Sequence, residues 1–150
     1  MTLGLLLTGL YGLQGQATAE GTNFGFDIDH YSIVVGDLPT TGDFYRDVVG
    51  LTEIPHPDRD PRFRWFNLNN GSQLHLIQKE TAGFTKDKSM HLCLTTQDLR
   101  GFIAHLRAQD LEFYDWPGKM NAITDRSDGV KQIYIQDPEG YWIEINDRKF

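Results

Sequence analysis

The sequence contains one pattern twice, and this internal repeat constrains the fold more than any other feature. Residues 29–38 (DHYSIVVGDL) correspond to residues 90–99 (MHLCLTTQDL) at an offset of 61, which pairs His30 with His91. Further along, residues 71–77 (GSQLHLI) correspond to residues 140–146 (GYWIEIN) at an offset of 69, which pairs His75 with Glu144. Self-similarity at a fixed spacing indicates a fold built from two equivalent units.

Each copy begins with a β-rich segment and continues with helical periodicity. Apolar residues recur on one helical face in the second copy, and the first helix is expected from about Thr40 to Val49, with Gly50 suited to a left-handed C-terminal position. Strands are predicted at residues 52–54, 62–68, 73–78, 113–114, 130–136 and 141–146. The sequence therefore predicts an α+β fold of two βαβββ modules, residues 27–79 and 88–147, within a single domain over residues 26–148.

The charge and the cysteine content restrict what this domain can bind. The formal net charge of −7 disfavours nucleic acid and anionic membranes, because both require a basic surface, so we expect a small-molecule substrate. Cys93 is the only cysteine, which excludes an intrachain disulfide and a cysteine-based zinc site. Any metal must therefore be held by nitrogen and oxygen ligands.

The N-terminal segment differs from the rest of the chain. Leu3 to Leu13 is apolar, and Ala17-Thr18-Ala19 fits the small-residue rule for signal-peptidase cleavage, so residues 1–19 are interpreted as a signal peptide. The stretch is shorter than the roughly 20 apolar residues of a spanning helix, and no membrane association is expected of the mature form. The protein is then secreted or periplasmic. An ordered N-terminal helix on a cytoplasmic protein is the alternative.

The alternation of side chains along a strand and the internal repeat together identify a candidate metal site. Glu144 alternates with Ile143 and Ile145, and a carboxylate on a covered sheet face costs several kcal/mol unless it is paired or binds a metal. A pseudo-twofold relation between the modules would bring His30, His91, His75 and Glu144 to one point. Three imidazoles and one carboxylate suit Zn²⁺, Ni²⁺, Co²⁺, Fe²⁺ or Mn²⁺.

A single strand histidine is more often a hydrogen-bonded structural residue than a ligand, and only the recurrence of the pattern favours the metal site. His56 and His105 lack that support, and neither receives a role.

Three segments resemble the vicinal oxygen chelate superfamily, which includes glyoxalases, bleomycin resistance proteins and extradiol dioxygenases. They are residues 29–38, residues 44–51 (FYRDVVGL) and residues 137–144 (DPEGYWIE), within a match over about residues 27 to 147. The resemblance implies a curved sheet around one divalent metal, a homodimer, and catalysis by chelation of two vicinal substrate oxygens. It places His30, His75, His91 and Glu144 at the four ligand positions of glyoxalase I.

The resemblance leaves three activities open. The leading hypothesis is a glyoxalase I-like (lactoylglutathione lyase-like) isomerisation in which Glu144 is also the base, although glyoxalases usually carry glutamate where this chain has His75. The second is an Fe²⁺ extradiol-type dioxygenase with His30, His91 and Glu144 as ligands. In this hypothesis His75 does not bind the ion and serves as a hydrogen-bond donor beside the ligands. The third is a non-catalytic binding protein of the bleomycin-resistance type. Arg64 and Trp65 are candidates for substrate contacts, although a solvent-facing arginine and a core tryptophan are commoner.

Overall fold

Eight strands and two helices make up the part of the chain that the computed structural model describes, residues 27–81 and 83–149. The first module contains β1 (His30–Val35), α1 (Leu38–Asp47), β2 (Thr52–Ile54), β3 (Phe63–Asn67) and β4 (Gln73–Gln78). The second contains β5 (His91–Thr95), α2 (Leu99–Ala108), β6 (Thr124–Asp125), β7 (Lys131–Gln136) and β8 (Trp142–Asn146). The predicted signal peptide, residues 1–19, lies outside the described residues.

The two modules have the same topology, which confirms the predicted α+β fold with a βαβββ repeat. The strand orders are β1-β4-β3-β2 and β5-β8-β7-β6. The first strand of each module runs parallel to the last, and the other pairings are antiparallel. β1 and β5 therefore stand at the edges of their sheets, and they carry His30 and His91.

Each sheet buries its apolar side chains against a helix and leaves the other face for polar and aromatic groups. The core joins both modules, and each fully buried aliphatic side chain contributes about 1.5–3 kcal/mol relative to exposure. The members of this core with no exposed surface are Val35, Phe66, Leu74, Leu76, Leu106, Phe113, Ile133 and Ile143. Because strand side chains alternate, their neighbours Trp65, His75 and Glu144 point to the face away from the helices.

The first helix begins two residues before the predicted start. Asp37 caps it, because its carboxylate accepts the backbone N–H of Thr40 at 3.0 Å, and Pro39 is tolerated in the first turn, where its missing N–H has no intrahelical partner. The helix ends at Asp47, and Gly50 follows with φ of 81°, as its left-handed role predicts. Gly42 is a position of close approach, because a Cβ there would lie 2.2 Å from the Arg64 guanidinium.

The predicted strand at residues 113–114 is wrong. Phe113 is buried in the core, but Tyr114 makes only isolated bridges to Met120 and Tyr134. Asp115 ends the extended segment by accepting the backbone N–H groups of Gly118 and Lys119, which turns the chain before a ladder can form. The segment that forms a two-residue ladder with β7 is Thr124–Asp125.

The turn at residues 137–141 fastens the second module to the first. The Tyr45 hydroxyl donates to Asp137 at 3.1 Å, and the Tyr141 hydroxyl donates to the carbonyl of Val34 at 2.9 Å. One Glu139 carboxylate oxygen accepts the backbone N–H groups of Gly36 and Asp37 at 2.7 and 2.8 Å. These contacts fix the position of the second module relative to the first within one chain. Among the described helices, none is long and apolar enough to cross a membrane.

Candidate metal centre

His91 and Glu144 form the better-defined half of the candidate site. The Nδ1 atom of His91 lies 2.7 Å from the carbonyl oxygen of Lys88, and since a carbonyl only accepts, Nδ1 carries a proton. The Nε2 atom then faces Glu144 Oε2 at 3.2 Å. In a neutral ring these are two acceptors in contact, so the pair requires a proton or a cation between them. A backbone carbonyl on the distal nitrogen is the usual support of a metal-binding histidine.

The separation of the two atoms fits a shared ion. Two ligands that each lie about 2.1 Å from one ion are about 3.0 Å apart at a right angle and about 3.4 Å apart at a tetrahedral angle. The observed 3.2 Å falls between these values. His91 and Glu144 can therefore bind one divalent ion from adjacent coordination positions without rearrangement.

The surroundings of Glu144 keep its carboxylate ionised. Burial opposes ionisation, but hydrogen bonds from Tyr134, Asn146 and Cys93 outweigh it and hold the pKa of Glu144 below its usual value. The Tyr134 hydroxyl donates to Oε2 at 2.6 Å and the Asn146 amide donates to Oε1 at 2.8 Å. Burial, with Glu144 nearby, raises the pKa of the Cys93 thiol to about 12, so Cys93 acts as a weak donor rather than as a thiolate. Glu144 is a fixed anion.

His30 and His75 form the other half, and their rings are stacked. The ring centroids lie 4.3 Å apart with the planes 15° from parallel. His30 Nδ1 lies 2.6 Å from Asp29, which leaves Nε2 as the ligand atom, whereas His75 Nε2 donates to Gln73 at 2.8 Å. Burial lowers the pKa of His75, and the neighbouring His30 adds to the effect, so the His75 ring is held neutral.

This stacking prevents His30 and His75 from binding the same ion as they are placed. An imidazole lone pair lies in the plane of its ring, and two stacked planes inclined by 15° do not meet within a bond length of about 2.1 Å. On its other face His75 stacks on Trp65, with centroids 3.9 Å apart and planes 6° from parallel. His75 is therefore held between two rings, behind His30.

The structure brings the four predicted ligands together as two pairs, His30 with His75 and His91 with Glu144. Within residues 27–81 and 83–149, no group of three or more His, Cys, Asp or Glu side chains is placed to hold a metal ion. Each pair lies on the sheet face away from the helices, next to the edge strand of its module. The convergence of all four on one ion stays a prediction.

Sequence reasoning missed several residues of the site. Tyr134 lies directly opposite Glu144 on β7, and the alternation of strand side chains alone could have placed it on the face of Glu144. His56, which received no role, packs on Trp65 with ring centroids 4.6 Å apart. Of the two suggested substrate contacts, Trp65 lies on the site face, but Arg64 points to the helix side, where it binds Glu53 and Asp43.

The paired βαβββ modules define a glyoxalase-type fold. Residues 27–145 match the Glyoxalase/Bleomycin resistance protein/Dioxygenase superfamily, and the chain belongs to this superfamily. Uncharacterized protein YwbC of Bacillus subtilis is 27% identical over 127 residues, which cover 81% of this chain and 97% of that protein.

Solved structures share the fold at low sequence identity. Oxidase ChaP-H2 superposes with a TM-score of 0.70 at 22% identity, over 84% of this chain and 96% of that chain. Lactoylglutathione lyase from Agrobacterium tumefaciens superposes with a TM-score of 0.60 at 18% identity, over 81% and 92% of the two chains. Members of the superfamily are generally enzymes and usually use a divalent metal.

Proposed function

We propose that this protein is a divalent-metal-dependent oxygenase or oxidase that acts on a small aromatic substrate with vicinal oxygens. In this proposal His30, His91 and Glu144 hold the ion, and His75 orients His30. The observation that carries it is the placement of His75 between the parallel rings of Trp65 and His30, which leaves two imidazoles and one carboxylate as ligands. Two histidines and one carboxylate are the ligand set of non-haem Fe²⁺ oxygenases.

The chemistry of Glu144 supports an oxygenase over a glyoxalase-type lyase. A general base works best when its pKa lies near the operating pH and when it is free to take a proton. Glu144 has a lowered pKa and accepts hydrogen bonds from Tyr134, Asn146 and Cys93. At the position equivalent to Glu144, the first module carries His75 rather than a second carboxylate. A fixed anion of this kind is suited to bind an ion rather than to remove a proton from carbon.

The bound ion would supply a positive charge and open coordination positions for the two vicinal oxygens of the substrate and for dioxygen. The residues of the chain perform the other tasks. Asp29 and the carbonyl of Lys88 hold the Nδ1 protons of His30 and His91, so that both Nε2 atoms stay available. Tyr134 and Asn146 keep the Glu144 carboxylate oriented. Trp65, Phe63 and His56 form an aromatic surface beside the His75 ring.

The proposed centre is completed by a second copy of the chain. His30 lies on edge strand β1 and His91 on edge strand β5, while the turn at residues 137–141 fixes the two modules of one chain in a different relation. Open sheet edges favour pairing with another strand, and symmetric dimers are the commonest oligomers. In a homodimer, β1 of one protomer would lie beside β5 of its partner, and two equivalent centres would form.

Titration of metal-free protein with Fe²⁺, Co²⁺ and Zn²⁺ tests the ligand assignment. We expect His30→Ala, His91→Ala and Glu144→Ala each to lower metal affinity by much more than about a hundredfold. His75→Ala should lower it by about tenfold, the lower end of the loss that is typical when a residue supporting a ligand is removed. Surface variant Lys119→Met is the matched control. Wild-type affinity no tighter than millimolar, or equal losses for His75→Ala and His30→Ala, would contradict the assignment.

Oxygen uptake then tests the reaction. The Fe²⁺-loaded protein should consume dioxygen when given catechols, and the Zn²⁺-loaded protein should not, since Zn²⁺ has no redox chemistry. Turnover of a thiohemiacetal without oxygen uptake would instead establish the lyase. A metal-free protein that still binds these compounds, without turnover in any metal form, would establish a binding protein.

A further inference from the structure

We propose that the substrate carries an anionic group in addition to its two chelating oxygens, and that Lys88 and Arg126 recognise this group. The inference rests on the proposed function, and it narrows the substrate class to acidic aromatic compounds with vicinal oxygens. Both cations lie in the second module, on the face that carries His91 and Glu144.

The register of the second sheet places Arg126 on the site face. Thr124 pairs with Gln132, and Arg126, two residues further along, points to the same side as Gln132 and Tyr134. The Tyr134 hydroxyl accepts from Gln132 at 2.7 Å and donates to Glu144 at 2.6 Å.

Lys88 lies near Tyr134, which donates to Glu144, and near Trp142. Its ammonium group sits 5.4 Å from the centre of the Tyr134 ring and 4.8 Å from the centre of the Trp142 ring. It also donates to the carbonyl oxygens of Asp115 and Trp116 at 3.0 and 3.2 Å. Because the backbone carbonyl of Lys88 holds His91, this ammonium group is fixed relative to the proposed ion.

The local charge contrasts with that of the whole chain. The chain has a net charge of −7, yet this face places a lysine and an arginine on the side of the sheet that carries the buried carboxylate of Glu144. Arg126 is paired with the half-exposed Asp128, which partly offsets its charge. A divalent ion would add further positive charge. A substrate with a carboxylate beside its vicinal oxygens complements this arrangement, because opposite charges attract more strongly where water is partly excluded.

Lys88 could instead have a purely structural role, in which its ammonium group only holds the carbonyls of Asp115 and Trp116. Two probes distinguish this role from recognition of an anionic group. The probes are 3,4-dihydroxybenzoate and its methyl ester, which share the vicinal oxygens and differ in one negative charge. Binding is measured by calorimetry to the Co²⁺-loaded protein under nitrogen, so that no turnover occurs. We expect the acid to bind about tenfold more tightly than the ester, with a preference that weakens as salt is raised.

Variants of Lys88 and Arg126 test whether these two side chains cause the preference for the acid over the ester. Lys88→Met and Arg126→Met should each remove most of the preference for the acid and change ester affinity by less than about twofold, while Lys88→Arg and the loop control Lys119→Met should keep it. Equal binding of acid and ester to the metal-loaded wild type, or a Lys88→Met variant that weakens both probes equally, would overturn the inference. Failure of the wild type to bind metal would instead remove the proposed function.

Discussion

His75 and Trp65 lie face to face, with ring centroids 3.9 Å apart and planes 6° from parallel. The two residues are directly opposite each other on β4 and β3, so the antiparallel register brings the rings together. His30 stacks on the far side of His75 at 4.3 Å. The orientation of one proposed metal ligand therefore depends on two rings that do not bind the metal themselves.

Replacing Trp65 should weaken metal binding although the residue is not a ligand. Stacked aromatic pairs contribute about 0.5–1.5 kcal/mol, so Trp65→Leu should lower metal affinity by about two- to tenfold, and Trp65→Phe should recover most of the loss. Calorimetric titration with Co²⁺ measures both variants. If Trp65→Leu binds Co²⁺ as tightly as wild type, the stack has no positioning role.

Removal of the Tyr134 hydroxyl should raise the pH below which metal affinity is lost. A hydrogen bond to a charged group contributes about 1.5–3 kcal/mol, so the loss of this donor in Tyr134→Phe should raise the pKa of Glu144. The pKa of Glu144 is lowered in the folded protein, so its ionised form contributes stability above its unfolded pKa, and this contribution is lost as the pH falls through the folded pKa.

Metal affinity measured from pH 4 to 7 checks this prediction, because protonated Glu144 cannot bind an ion. Tyr114→Phe is the matched control, since that hydroxyl donates to the exposed Glu112 away from the candidate ligands. Superimposable profiles for wild type and Tyr134→Phe would mean that Tyr134 does not support the carboxylate.

The repeat and strand parity predicted the fold and placed the candidate ligands on one sheet face in each module. Both features can be recognised directly in the sequence. The alternation of side chains along a strand, for example, depends only on consecutive residues. The relation between the modules could not be predicted in this way. It depends on contacts such as Tyr45 with Asp137 and Gly36 with Glu139, which join residues about a hundred positions apart. No local pattern encodes such contacts. The stack of His75 on Trp65 was missed because it follows from the exact register of β3 and β4.

Asp137 should make the module contact sensitive to pH. Burial raises the pKa of Asp137 to about 6, although hydrogen bonds from Tyr141, Tyr45 and Glu139 oppose the shift. A raised pKa means that the contribution of this group to stability is fully present below its unfolded pKa of 3.8 and is lost as the pH rises through about 6. The loss amounts to about 2–3 kcal/mol.

Urea unfolding between pH 4 and 7.5 tests this effect by the difference between wild type and Asp137→Asn. The asparagine is always neutral, so the variant should gain stability relative to wild type as the pH rises. The exposed Asp128→Asn variant serves as the control. A difference between wild type and Asp137→Asn that is constant over this range would show that Asp137 keeps an ordinary pKa.

The N-terminal segment gives a prediction about processing. Cleavage after Ala19 would yield a mature chain that begins at Glu20, because signal peptidase selects small residues at the positions occupied by Ala17 and Ala19. Intact-mass measurement of the protein from its native host decides the matter. A mass that includes Met1 would exclude export by this route.

In the proposed homodimer, each metal centre combines His30 of one protomer with His91 and Glu144 of its partner. Two inactive variants, His30→Ala and Glu144→Ala, test it by complementation. In a mixed dimer, one centre would carry both substitutions and the other would carry neither. Random assembly of equal amounts should therefore restore about a quarter of the wild-type centres.

The measurement is the number of tight Co²⁺ sites, and then oxygen uptake, in a mixture unfolded and refolded together. Wild-type protein taken through the same procedure gives the reference. We predict that each variant alone shows almost no tight sites and that the co-refolded mixture recovers about a quarter of the reference. A mixture that stays as inactive as the separate variants, although light scattering shows dimers, would mean that no metal centre is shared between protomers.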